Sequence, residues 1–99
     1  MHSLIVRPDA EVDITDAALW YETQSQGLGS EFLRSVDACL ADVARAPQRF
    51  PVVHRTLRRA LLRRFPYGVF FVDIDDSIEV VACLHAHRDP RQWSERLRA

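Results

Sequence analysis

The chain contains no lysine; all 13 of its basic residues are arginine. Any mechanism that depends on a lysine is therefore closed to it. Glycine is scarce, with only Gly27, Gly29 and Gly68, which excludes a glycine-rich phosphate loop. The two cysteines, Cys39 and Cys83, stand far apart in apolar runs. They read as small buried hydrophobes rather than as a disulfide or a metal pair. No apolar run approaches the roughly 20 residues that span a bilayer. The opening MHSLIVRPDAE has neither the long apolar stretch nor the cleavage site of a secretory signal. A cytoplasmic protein with no membrane contact is expected. His85 and His87 lie two apart with no third ligand at a suitable spacing, so no zinc set is present. No serine or cysteine carries a nucleophile signature. Neither a metal nor a cofactor is expected.

What remains is an ordinary globular composition. The chain has 99 residues, 47% hydrophobic and 27% charged, and suits one domain over residues 1–99 with a single core. The net charge of -1 hides a segregation. Residues 1–48 hold three arginines against eight acids, and residues 49–99 hold ten against six. From Arg45 to Arg64 there are seven arginines and no acid. Such a split points either to an anionic partner or to two halves that neutralise each other within one fold.

Read for period, Ser3 to Arg7 is a first strand, stopped by Pro8. Pro8-Asp9 opens a helix whose stripe is Ala10, Ile14, Ala17 and Tyr21, widened by Ala18. Asp9, Asp13, Asp16 and Glu22 are expected mostly on the opposite side. Residues 25–29 form a turn, and Ser30 or Gly29 caps a second helix. Its stripe is Phe32, Val36, Cys39 or Leu40, and Val43, and Pro47 ends it. Residues 47–56 carry two prolines and no clean period, and read as a loop or a ragged connection. Arg58 to Phe65 is a candidate strand, interrupted by Pro66. Tyr67 to Ile74 is apolar on both faces, which marks a central, covered strand. Asp75-Asp76-Ser77 is a tight turn into a partner strand, Ile78 to His87. Asp89-Pro90 ends that strand, and the arginine-rich tail is anchored by Trp93. The predicted fold is α+β in the order β-α-α-β-β-β, an antiparallel sheet with a helical hairpin packed on one face.

One constellation carries candidate chemistry. Arg58, Arg59, Arg63 and Arg64 lie on or beside the second predicted strand, Tyr67 starts the third, and His85, His87 and Arg88 end the fourth. Arginine offers a permanent charge and a planar fork suited to phosphate or carboxylate, and histidine titrates near neutral pH. Such groups could bind a phosphodiester, or cut RNA by attack of the 2′-hydroxyl. Cutting would need a base, an acid and a stabiliser of developing charge. Three readings stay open: a solvated face paired with the acidic helices, a surface for a partner or nucleic acid, and a catalytic site.

The segment Arg63-Arg64-Phe65-Pro66-Tyr67-Gly68-Val69-Phe70-Phe71 is followed by a hairpin and then by His85-Ala86-His87-Arg88-Asp89-Pro90-Arg91-Gln92-Trp93. With the element order, the size and the first helix ending Trp20-Tyr21-Glu22, these residues resemble the ParE/RelE superfamily of toxins from type II toxin–antitoxin (plasmid stabilisation) modules. The resemblance covers almost the whole chain and lies closer to ParE. It implies a small toxin neutralised by a cognate antitoxin, with ParE-like inhibition of DNA gyrase as its activity. Arg58, Arg59, Arg63, Arg64, Tyr67, His87, Arg88, Arg91 and Trp93 are then candidates for target or partner binding. The alternative is a RelE-like mRNA endoribonuclease acting in the ribosome, for which Arg64, His85, His87 and Arg88 are the candidate catalytic residues. The lysines that RelE uses have no counterpart here. A relative that relies on a Glu, an Arg and a C-terminal His-Tyr pair is not matched either, since the chain ends Glu95-Arg96-Leu97-Arg98-Ala99.

Overall fold

Proline sets the first corner. A computed structural model describes residues 3–89, 91 and 96. In it β1 (Ser3–Val6) stops two residues before Pro8, which opens α1 (Pro8–Gln24) where a missing N–H costs nothing. A short turn leads to α2 (Leu28–Arg45), and Pro47 begins a single 3-10 turn over Pro47–Arg49. Four strands follow: β2 (Val52–His54), β3 (Leu57–Leu61), β4 (Tyr67–Ile74) and β5 (Ser77–His85). The sheet order is β1-β5-β4-β3-β2. The strands β3, β4 and β5 form the expected antiparallel meander, with β4 at the centre. The first strand adds to β5 in parallel, Ser3 against Ser77 and Val6 against Val80, so the sheet is mixed.

The helical hairpin covers one face of this sheet. Phe32, Val36 and Val43 of α2 pack with Ala10 and Ala17 of α1 against Ala60, Val69, Phe71, Ile78 and Val80. Phe32 is fully buried. Its ring stands 5.3 Å from Tyr21, 5.2 Å from Phe65 and 5.3 Å from Tyr67. Each such ring pair contributes about 0.5–1.5 kcal/mol beyond area burial, and together they tie both helices to one end of the sheet. Leu57, Phe70, Val72, Val81, Ala82 and Leu84 form a second buried cluster. The alternation of β4 between the two clusters explains why its sequence is apolar on both faces. The hairpin joining β4 to β5 has a two-residue loop, and both of its residues, Asp75 and Asp76, are left-handed at φ 48° and 64°. That twist matches the strands it connects.

Several expectations need correction. Part of residues 47–56 is a strand, not a loop. β2 has only three residues and an irregular register between Val52 and His54, too short to show a period. The strand expected over 58–65 ends at Leu61. Leu62 N–H closes onto the Tyr67 carbonyl at 2.9 Å, and Arg64 turns left-handed at φ 73°, so residues 62–66 are the turn into β4. The last strand ends at His85, where Arg88 N–H bonds the His85 carbonyl at 3.0 Å in a turn. The second helix starts at Leu28 rather than at a Ser30 or Gly29 cap. Gly27 precedes it at φ 88°, and the Glu22 carboxylate accepts from both the Gly27 and Gly29 N–H groups at 2.9 and 3.0 Å.

Asp13 is the most informative departure. It was expected on the solvent side of α1, yet its side chain is only 10% exposed. It lies three residues after Ala10 and four before Ala17, in phase with the apolar stripe. It can sit there half-buried because it accepts a hydrogen bond from Cys83 N–H at 3.0 Å and pairs with Arg96 at 2.6 Å. Cys39 and Cys83 are buried free thiols. Burial pushes them up to about 11 and about 12, with the charges of Asp42 and Asp13 adding respectively. The anchor expected at Trp93 lies outside the described residues.

Candidate functional site

Two surfaces gather the candidate residues. The first is a groove of about 410 Å³ between α2 and the β3–β4 turn, lined by Glu31, Arg34, Ser35, Ala38, Cys39, Asp42, Phe50, Leu61, Arg63, Arg64 and Phe65. The positive φ of Arg64 throws its side chain outward, where it is 78% exposed and 3.6 Å from Glu31 of α2. The neighbouring Arg63 is held through its backbone, whose carbonyl accepts from the Ser35 hydroxyl at 3.0 Å. Arg34 and Arg63 have no ion-pair partner among the described residues. The groove thus combines apolar lining from Ala38, Phe50, Leu61 and Phe65 with three arginines, Arg34, Arg63 and Arg64, against two acids, Glu31 and Asp42. That combination suits an amphipathic chain with acidic side chains.

The second surface is a file of rings across one end of the molecule. Trp20 meets Tyr21 at 5.0 Å, Tyr21 meets Tyr67 at 6.0 Å, Tyr67 meets His85 at 5.9 Å, and His85 meets His87 at 5.5 Å. The sheet register produces the crossing, since Tyr67 of β4 pairs with His85 of β5. Trp20 is 55% exposed. Desolvation raises both tyrosine pKa values, helped at Tyr21 by Tyr67 and at Tyr67 by Cys83. Both phenols therefore remain hydrogen-bond donors at neutral pH. Phe65 joins the two surfaces, lining the groove while stacking edge-on against Tyr21 at 4.9 Å.

The remaining candidates do not converge. Arg58 and Arg59 are neighbours on a strand and so leave the sheet on opposite faces. Arg58 donates to the Phe50 carbonyl at 2.6 Å. Arg59 crosses Gly68, where a Cβ would stand 3.2 Å from its Cγ, and reaches the Ala86 carbonyl at 3.4 Å. Its buried Nε has no partner among the described residues. Arg88 enters through its backbone turn, and Arg91 pairs with Asp89 at 2.9 Å. That pairing, by side-chain and backbone hydrogen bonds first, holds the Asp89 carboxyl below its usual range. Trp93 lies outside the described residues. Arg34 was missed, because a single arginine on a helix carries no signal until β3 is set beside it. No group of three or more His, Cys, Asp or Glu able to hold a metal occurs among the described residues.

The family model described as the ParE toxin of the type II toxin–antitoxin system, parDE, matches residues 4–90. The chain belongs to the ParE toxin family. A solved structure from P. aeruginosa, titled as its chromosomal ParDE toxin–antitoxin system, is similar in fold, with a TM-score of 0.68 at 18% identity. The similarity covers 86% of this chain and 96% of that one. A search of curated proteins gives no match. The ParE-family segment includes both helices, all of the sheet except Ser3, the groove and the file of rings. It stops before Arg91, Trp93 and Arg96.

Proposed function

We propose that this chain is the toxin half of a two-component module, is neutralised by a cognate antitoxin, and inhibits DNA gyrase by protein contact rather than by cutting RNA. The observation that carries the reading is the ParE family match over residues 4–90. Gyrase as target rests on the resemblance to the ParE side of the superfamily. The absence of lysine weighs against the lysine-based nuclease mechanism of RelE. The groove between α2 and the β3–β4 turn supplies the antitoxin's docking place, its arginines matched to acidic side chains and its apolar lining to one face of a segment that folds on binding. The module would act in the cytoplasm, where gyrase and DNA are found, and would serve plasmid stabilisation.

Expression of the chain with and without the neighbouring reading frame tests toxicity and neutralisation together. Purified protein in a gyrase supercoiling assay tests the target. Growth arrest relieved by the neighbour, with loss of supercoiling, is the expected result. Supercoiling that persists at large molar excess refutes the gyrase reading, and new mRNA 5′ ends in arrested cells would transfer the activity to the ribosome.

A further inference from the structure

The strand β5 is longer than its neighbour on one side. It spans Ser77–His85, but β1 pairs only with Ser77 to Val80. The last bond on that side runs from Arg7 N–H to the Val80 carbonyl at 2.9 Å, after which Pro8 turns the chain into α1. From Val81 onward this edge has no strand partner among the described residues. An unpaired edge is a template for another chain, and inward-pointing charge is one way of closing it.

Two side chains occupy the place of the missing strand. The Asp13 carboxylate accepts from Cys83 N–H at 3.0 Å, and the Arg96 guanidinium donates to the Val81 carbonyl at 3.3 Å. The two also grip each other through both carboxylate oxygens, at 2.6 and 3.3 Å. A carboxylate and a guanidinium so arranged present one acceptor and one donor to β5, as a peptide unit would. Arg96 is fixed by its backbone as well, since its carbonyl accepts from Arg7 at 2.6 Å while Arg7 Nε bonds Glu79 at 2.9 Å. The side chains of Arg7, Asp13 and Arg96 are 19%, 10% and 27% exposed, so water competes weakly. Arg96 lies beyond the family-matched segment.

We propose that Asp13 and Arg96 form a latch, in which the Arg96 side chain together with Asp13 closes the edge of β5 beyond Val80, and release of Arg96 opens that edge. The latch is a device of the fold that sequence cannot show, because its halves are 83 positions apart.

The test uses the full chain and reads amide hydrogen exchange by NMR, with tryptic cleavage after Arg96 as a second measurement. Two variants are made, Arg96→Gln and Asp13→Asn, and their combination. Each single change is expected to speed exchange at Cys83 by about tenfold or more, the equivalent of one charged hydrogen bond, while amides shared by β3 and β4 keep their protection. The double variant should add little to either single change. In Asp13→Asn, cleavage after Arg96 should also quicken by about tenfold. Unchanged exchange at Cys83 in Arg96→Gln overturns the proposal, because Arg96 then does not close the edge. Uniform acceleration across the sheet also overturns it, because the pair then supports the whole fold. Should Asp13→Asn fail to fold, Arg96→Gln alone decides, since residue 96 lies outside both buried clusters.

Discussion

Replacing Gly29 by alanine should destabilise the protein, against the usual rule for a helix. In an open helix the change is favourable by about 1 kcal/mol. Gly29 sits instead in the first turn of α2, where that helix crosses α1. An added Cβ would stand 2.6 Å from the Ala18 carbonyl oxygen and 3.0 Å from Glu22 Oε1. The carbonyl belongs to the α1 backbone and cannot move alone, so the helices must part. Overpacking of this kind costs about 1–3 kcal/mol. Displacing Glu22 also weakens its bonds to the Gly27 and Gly29 N–H groups, each worth about 1 kcal/mol at a partly exposed site. The costs exceed the propensity gain, leaving a net loss of about 1–3 kcal/mol. For a domain of this size that lowers Tm by roughly 4–20 °C. Urea and thermal unfolding followed by circular dichroism on the full chain measure it. An unchanged or raised Tm for Gly29→Ala would refute the close approach of the helices and, with it, the packing of the hairpin.

Other consequences can be checked in parallel. Phe32→Ala removes the ring shared by Tyr21, Phe65 and Tyr67 and should cost about 3–5 kcal/mol, enough to leave a substantially unfolded population by urea titration. Cys39 and Cys83 should resist a disulfide reagent until the protein unfolds, because both are buried and held neutral. Their raised folded pKa values also set a sign: unfolded thiols ionise near about 8.5, so stability falls as pH rises above that value toward about 11. Urea midpoints at pH 7.5 and 10 read the difference, and an unchanged midpoint contradicts the burial. Arg63→Ala with Arg64→Ala should weaken antitoxin binding several-fold while leaving Tm nearly unchanged, with most of the loss in the association rate and most visible at low salt. Calorimetry and stopped-flow mixing decide.

Local chemistry made much of the fold legible. Pro8 and Pro47 mark helix limits, Asp75-Asp76 marks the hairpin, and the two-faced apolarity of Tyr67 to Ile74 marks the centre of the sheet. What stayed hidden depends on long-range pairing. β2 exists because Arg59 N–H finds the Pro51 carbonyl and Val52 faces Arg58, which no period within residues 52–54 announces. The arginine row is one constellation in sequence, but strand alternation splits Arg58 from Arg59, and of its four members only Arg63 and Arg64 line the groove. The segregated charges find each other across layers, Arg64 with Glu31 and Arg96 with Asp9 and Asp13. Asp13 was placed on the solvent side of α1 because nothing near it in sequence offers a partner, and Arg96 lies 83 positions away.

The parallel pairing of β1 with β5 also sets a clock. Ser3 to Val6 are made 74 positions ahead of their partners, Ser77 to Val80. At about 5–20 residues per second, the strand waits roughly 4–15 s before it can dock. Through that interval Leu4 and Val6 have no core to enter, and the sheet that carries the groove lacks one edge. A nascent copy therefore lacks one edge of its sheet until β5 has been translated.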